Sequence, residues 1–349
     1  MNGESVLTPG ARFEPYWWAA AKPERLSAGT LASRYDVAVI GSGFTGMRAA
    51  LELARAGRSV VVLDKDPAGS GAARRNAGYL GRVLKKSLPT LMAKHGDAKG
   101  IAIYRELGEA FTGTIDFIAR EGIECRLTRH GRYIAATSVK HYDAMAVELE
   151  AMRRHLGYPY EMVPKADQRR EFGSDAYRGG AVIPDLAAIH SGLYHRGLTQ
   201  RAIGAGAVIC DDATVEAVQP ESGGVIVTTE HGRIAVKDAI IATNGYTPRG
   251  AGGGFAWLAR RVIPFQAYMA ATEELTAAQL DDAIPHRRTV LDSNTNIDFF
   301  RPAPDSPRLL FGGGTGVARG RFEAIARFLH GLLGRVLPQL HEVKLEWVW

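Results

Sequence analysis

Two short apolar runs sit close together near the start of the chain, Val37-Ala38-Val39-Ile40 and Val60-Val61-Val62-Leu63. Neither alternates with polar residues, so each predicts a strand buried on both faces, over 35–40 and 59–63. Between them, Met47, Ala50, Leu51 and Ala54 fall on one face of a helix predicted over 44–56, and Gly57 stops it. Strand, helix and strand in this order make a βαβ unit with a parallel pair. Residues 1–33 are rich in Pro, Gly and Ser around Tyr16-Trp17-Trp18 and predict an irregular leader whose aromatics dock on the body.

Further along, the glycines of 66–82 predict a loop, and 88–121 a helical stretch with a break at Gly96. A strand is expected over 132–137, a helix over 140–155, a short strand over 181–183 and a helix over 193–203. From Ala207 to Ala242 the pattern is a succession of strands, at 208–210, 214–218, 225–229, 234–236 and 239–242. Further strands are expected over 262–271, 288–292, 296–301 and 308–312, then a helix over 322–337 and a last strand over 343–349. The order points to an α/β nucleotide-binding domain interrupted by a second domain, with the Gly-Ala-Gly-Gly-Gly run at 250–254 as a crossover.

A chain of 349 residues is long enough for about two domains and a sizeable core. With 46% apolar and 23% charged residues it is neither a disordered nor a collagen-like chain. The net charge of +6 is scattered, which argues against a nucleic-acid face. Cys125 and Cys210 have no Cys or His at metal spacing and read as isolated thiols of a reducing compartment, so no metal is expected. Charged residues interrupt the first 32 positions, and no stretch reaches the ~20 apolar residues of a membrane span. The expectation is a soluble cytoplasmic protein.

The chemistry enters at Gly41-Ser42-Gly43-Phe44-Thr45-Gly46. This Gly-x-Gly-x-x-Gly run directly follows the first strand and opens the helix, and Asp64 stands at the end of the second strand. Gly41 permits the tight turn, Gly43 lets the backbone approach a pyrophosphate, and Gly46 lets helix and sheet pack closely. The helix start near Phe44 and Thr45 offers free N–H groups and a positive dipole end to phosphates. Asp64 can accept from ribose hydroxyls and disfavours a 2′-phosphate. These residues leave NAD and FAD both open. The following Gly71-Ala72-Ala73-Arg74-Arg75-Asn76-Ala77-Gly78 run could let the chain pass close to a long cofactor, with Asn76 bonding to it.

Together these motifs resemble the FAD-dependent D-amino acid oxidase-like (DAO) oxidoreductases, and within them the gamma-glutamylputrescine oxidase-like branch. The resemblance rests on the Tyr16-Trp17-Trp18 leader, the Tyr35–Asp64 fingerprint, the Gly71–Gly78 loop and Ala242-Thr243-Asn244-Gly245-Tyr246-Thr247, and covers about 15–349. It implies a Rossmann-type FAD-binding domain with an inserted mixed-sheet α+β substrate domain. The first would hold 34–83, 181–254 and 311–349, and the second 84–180 and 255–310. It implies FAD contacts from the fingerprint, Asp64, Lys65, the loop residues Gly71, Ala72, Arg75, Asn76, Ala77 and Gly78, and Thr243, Asn244 and Gly245. Val215 and Val218 would lie in the strand that presses on the adenine side.

Such enzymes take a hydride from the carbon bearing an amine onto flavin N5, so the protein needs aromatic walls and polar anchors rather than a nucleophile. The candidate walls are Tyr268, Phe299 and Phe300, and the candidate anchors Arg301 and His190. Strand alternation puts Phe299 and Arg301 on one face and Phe300 on the other, so Phe300 is equally a core residue. Arg301 reads more readily as a structural ion-pair partner and His190 as a structural, hydrogen-bonded histidine. Phe311-Gly312-Gly313-Gly314-Thr315-Gly316 resembles the family's strand-end glycines and is otherwise a tight turn.

The family's tryptophan-containing late strand continues into glycine-rich segments that serve substrate-anion recognition and cover the flavin's pyrimidine edge. Here the sequence stops at Glu346-Trp347-Val348-Trp349, so the resemblance implies a chain lacking that segment. Some relatives hold flavin covalently through a cysteine in this neighbourhood; Trp347 and Trp349 stand here, so non-covalent FAD is expected. Three readings follow: an FAD-dependent oxidase of an amine or amino acid that yields an imine and hydrogen peroxide, an NAD-dependent dehydrogenase, and a non-catalytic relative.

Overall fold

In the computed structural model, which describes residues 5–26, 31–248, 254–314 and 320–349, the two apolar runs form adjacent parallel strands. These are Arg34–Ile40 and Val60–Leu63, with Val37 opposite Val60 and Ile40 opposite Leu63. Every residue of the second is buried, as its lack of polar alternation requires. The helix between them, Phe44–Arg55, buries Met47, Ala50 and Leu51, and Gly57 follows it in the left-handed region at φ 77°. Val208–Cys210 extends the sheet beyond Val60–Leu63, and Gly232–Ile241 extends it on the other side, both parallel. Gly224–Thr229 and Val215–Glu221 complete six strands as an antiparallel meander.

This sheet belongs to one of two compact units, residues 17–76 with 191–265. Its second long helix, Ser191–Gly204, packs on Phe44–Arg55 and buries a mostly polar and small set that includes Tyr194, His195, Gly197 and Thr199. The pattern gave two strands where the structure has the single Gly232–Ile241. The Lys237-Asp238 pair that looked like a turn lies in the ladder, with Asp238 opposite Val37 and Lys237 Nζ 2.6 Å from Asp36.

The other unit comprises residues 1–16, 77–190 and 266–349. Its nine-stranded mixed sheet runs in the order Leu7–Arg12, Leu345–Val348, Tyr268–Thr272, Leu309–Gly313, Phe299–Pro302, Thr289–Asp292, Arg132–Ala135, Gly180–Ile183, Glu161–Val163. Phe322–Val336 packs on it through Ile325, Leu329 and Leu333, while Leu88–His95, Asp97–Arg120 and Val139–Leu156 form a helical layer with its own core. The α/β class with a dinucleotide-type domain and a mixed-sheet second domain is therefore what the chain adopts.

Several expectations are corrected. Residues 311–349 lie in the nine-stranded unit, because Leu309–Gly313, buried throughout, pairs with strands on both sides. The boundaries between units fall at 76/77 and 190/191, and 255–265 stays with the six-stranded unit. The leader is not irregular: Leu7–Arg12 is an edge strand parallel to Leu345–Val348, and Trp18–Ala21 is one helical turn. Its aromatics do dock. Tyr16 meets the Trp347 ring edge-on at 5.2 Å, and Trp17 Nε1 donates to the Asn76 carbonyl at 2.7 Å. The strand expected at 262–271 begins only at Tyr268, since Pro264 offers no ladder N–H. Positions 250–253 of the crossover, and Thr315 and Gly316, lie outside the described residues. Among the described residues, no helix is long and apolar enough to cross a membrane.

Candidate dinucleotide site

The parallel strands Gly232–Ile241, Arg34–Ile40, Val60–Leu63 and Val208–Cys210 all end at one edge of the six-stranded sheet. The residues that follow them are Ala242–Gly245, Gly41–Gly46, Asp64–Lys65 and Asp211. Open parallel sheets bind ligands outside the carboxyl ends of their strands, so these four segments define the candidate site.

The three fingerprint glycines are needed for three different reasons. Gly41 turns at φ 102°, and a Cβ there would lie 2.7 Å from the Ala242 carbonyl oxygen. A Cβ on Gly46 would lie 1.9 Å from the Gly41 oxygen, so only glycine lets helix meet strand. Gly43 has φ −70°, open to any residue, and among the described residues nothing beyond its own chain neighbours lies within 4 Å of its added Cβ. The fold itself does not require glycine at 43. A ligand that must approach this backbone would. Gly43 is also the N-cap of the twelve-residue helix and supplies no side-chain cap, which leaves the helix N-terminus to an anion. A diphosphate fits this cradle.

Ser42 is fully buried and is gripped from both ends. Its N–H and hydroxyl donate to Asp64 Oδ2 at 2.7 and 2.5 Å, and its hydroxyl accepts from Gly69 N–H at 3.1 Å. Its carbonyl oxygen lies 2.6 Å from His195 Nε2. Arg74 Nε donates to His195 Nδ1 at 3.1 Å, which places the imidazole proton on Nε2, facing Ser42. Burial, reinforced by the Arg74 charge, pushes the His195 pKa down to about 4, so the ring is neutral. Gly69, at φ 82°, packs so closely that its Cβ would fall 2.5 Å from the imidazole. Neither Arg74 nor His195 was expected here. They are 121 positions apart, and the available signal is a helix that buries polar residues instead of an apolar stripe.

Asp64 half-emerges at the strand end with Lys65 exposed beside it. Lys65 Nζ lies 5.8 Å from the Tyr246 ring centroid. Asp211, at the end of the neighbouring strand, accepts from Leu26 N–H at 2.6 Å. Burial pushes its pKa up to about 6; the Leu26 bond opposes this and the Asp64 charge adds to it. Thr243, Asn244 and Gly245 form the turn after Gly232–Ile241, with Asn244 left-handed at φ 48° and Thr243 Oγ1 2.7 Å from Thr247 Oγ1. Val215 and Val218 are buried in this unit's apolar core.

In the second glycine loop, Asn76 uses its side chain to hold the loop itself. Its amide donates to the Ala72 and Ala73 carbonyls, and its oxygen accepts from Ser191 Oγ at 2.8 Å. Arg75 donates to the Ser70 carbonyl and lies over the Trp18 ring. Gly71 lies under Tyr246, where a Cβ would be 3.2 Å from the ring. Ala77 and Gly78 belong to the nine-stranded unit, where their carbonyls accept from Arg301 Nη1 at 2.8 and 3.4 Å.

Within the nine-stranded unit, Tyr268 and Phe299 lie on the strands flanking Leu309–Gly313, both at the level of Gly312 and Gly313. A Cβ on Gly312 would lie 2.4 Å from the Phe299 ring, so glycine makes room for it. Asp298 packs on Gly313 in the same way, and burial beside Asp292 raises its pKa to about 6. Asp298 was not a candidate from sequence. Arg301 is 2% exposed, and besides Ala77 and Gly78 it donates to the Ile189 carbonyl at 2.9 Å, contacts that suit a structural role. Phe300 is core, stacked on Phe311. His190 is fully buried, 3.5 Å from Asp305, which also accepts from the Tyr16 hydroxyl.

The fold and this cradle define an α/β dinucleotide-binding protein. Residues 36–349 match the model of the DAO family, FAD dependent oxidoreductase, and the chain belongs to that family. It is 28% identical to a probable oxidoreductase, OrdL, of Haemophilus influenzae over 318 residues, 90% of this chain and 72% of that one. To the gamma-glutamylputrescine oxidoreductase of Escherichia coli K12 it is 27% identical over 319 residues, again 90% and 72%. Its fold matches the crystal structure of glycine oxidase from Geobacillus kaustophilus with a TM-score of 0.69 at 22% identity, covering 91% and 82% of the two chains.

Proposed function

We propose that this FAD-dependent oxidoreductase oxidises the C–N bond of an amine or amino acid to an imine, with hydrogen peroxide formed when oxygen is the acceptor. Bound FAD supplies the hydride acceptor at N5. The observation that carries the reading is the empty space at Gly43 on an uncapped helix N-terminus, in a chain of this family. The names of the E. coli and Geobacillus relatives support an amine or amino-acid substrate.

In this reading Gly43 and the Phe44–Arg55 N-terminus take the diphosphate, and Asp64 takes ribose hydroxyls. The loop around Gly71 and the Thr243–Gly245 turn line the cofactor's path. Tyr268 and Phe299 supply aromatic walls for the substrate. FAD is held non-covalently: Cys125 is buried with its thiol pushed up to about 11 by burial, and Cys210 is buried and raised likewise. The protein works in the cytoplasm, a reading supported by its two reduced, buried thiols.

The test is a visible spectrum of the purified chain, followed by anaerobic addition of amines and amino acids. Flavin bands that an amine bleaches, with peroxide released in air, are expected. A flavin-loaded protein that no amine or amino acid reduces would overturn the substrate class. Bound NADH without flavin would overturn the cofactor.

A further inference from the structure

We propose that Arg74 is the buried countercharge for the dinucleotide's diphosphate, and that His195 is the positioning residue linking it to the phosphate turn. The inference rests on the reading of Gly41–Gly46 as a dinucleotide site. Arg74 is 4% exposed. Its guanidinium donates to His195 Nδ1 and to the Ala21 carbonyl at 2.8 Å, and both partners are uncharged. Among the described residues, no carboxylate lies within ion-pairing distance of it. An arginine cannot shed its proton to escape this, and a buried cation without a counter-anion is costly. Burial brings its pKa down only to about 10, so it stays charged at neutral pH.

The fold places this charge two hydrogen bonds from the fingerprint. Arg74 holds the acceptor nitrogen of His195, and the opposite N–H of the same ring donates to the Ser42 carbonyl. Ser42 and Gly43 share that peptide. Donation to its oxygen polarises the peptide and makes the Gly43 N–H a stronger donor. The acidic groups that act electrostatically on Arg74 are Glu24 and Asp211, with Arg196 opposing them. A dianionic diphosphate at the uncapped helix start supplies what the chain leaves out. The pair therefore selects for the charged linker of the ligand rather than for its bases.

The test compares ligands with and without that linker on the full-length apoprotein by titration calorimetry: FAD and ADP against adenosine and riboflavin. Arg74→Met is expected to weaken ADP and FAD about 10- to 100-fold while changing adenosine less than about twofold. Arg74→Lys restores part of the loss. His195→Phe reproduces it, and His195→Gln, which keeps a donor, is milder. Equal losses for ADP and adenosine, or no loss for either, would show Arg74 to be packing alone and overturn the proposal. If the variants fail to fold, nitrogen NMR of the wild-type protein decides: a His195 proton on Nδ1 refutes the relay and one on Nε2 supports it. A wild-type chain that binds neither FAD nor ADP would remove the dinucleotide reading and this inference together. Tight wild-type binding with unchanged Arg74→Met affinity removes only the latter.

Discussion

Gly43→Ala should separate ligand binding from folding. Among the described residues, the added methyl meets no atom within 4 Å beyond those of its chain neighbours, and φ −70° suits alanine. The folded protein loses only the modest preference for glycine over alanine at an N-cap, about 0.5–1 kcal/mol, part of which a less flexible unfolded chain offsets. At about 2–4 °C per kcal/mol, the melting temperature without cofactor should fall by no more than about 3 °C. Binding should suffer more. The methyl stands where a phosphate must touch the backbone, and losing one charge-assisted hydrogen bond of about 1.5–3 kcal/mol weakens FAD about 10- to 150-fold. Gly46→Ala is the contrast, with its Cβ 1.9 Å from a backbone oxygen that must move. It should cost about 3 kcal/mol or more in stability even without ligand. Quenching of FAD fluorescence by the apoprotein and thermal unfolding with and without FAD are the assays. Wild-type FAD affinity in Gly43→Ala would refute the assignment of that space to the diphosphate.

Arg301→Met should lower stability by about 2–4 kcal/mol, because it leaves the Ala77, Gly78 and Ile189 carbonyls, all served by Arg301 Nη1, without that donor. An unchanged melting temperature with a raised KM would return Arg301 to the substrate. Asp211, whose pKa folding raises from 3.8 to about 6, favours the fold below pH 4, and that contribution is lost as pH rises to 6. Asp211→Asn keeps an acceptor for Leu26 and should therefore be about 1–2 kcal/mol more stable at pH 7.5, with the two proteins converging near pH 4. Identical unfolding curves at pH 7.5 would contradict this.

What could be read in the sequence was what neighbouring residues decide. The βαβ unit, the Gly57 stop and the break at Gly96 follow from apolar runs and left-handed glycines, and the structure has all three. The fingerprint was legible because its three glycines lie within six positions. Long-range pairing was not. Leu7–Arg12 contains Pro9 and Gly10, and only the late strand beside it makes it a strand. The Ala277–Ala283 helix was overlooked although Thr276 and Gln279 form a capping box, a local signal that pattern reading passed over. Arg74 and His195 meet only because the Ser191–Gly204 helix packs against the first helix and the turn at Ala72–Arg74. Periodicity carries no record of such a meeting. Arg301 could be read either way, because strand alternation gives a residue's face but not what covers that face.

The edge strand Leu7–Arg12 sets a waiting time during synthesis. Its partner, Leu345–Val348, is made more than 300 residues later. At about 5–20 residues per second, the early strand stays unpaired for roughly 20–70 s. The six-stranded sheet needs nothing beyond Ile241, so the phosphate turn can be in place well before that. Pro9 and Arg12 suit the delay, since proline and charge discourage an unpaired strand from recruiting another chain. A ribosome slowed between Tyr268 and Val348 would lengthen the exposure of the nine-stranded sheet alone, and that unit is where chaperones would be needed.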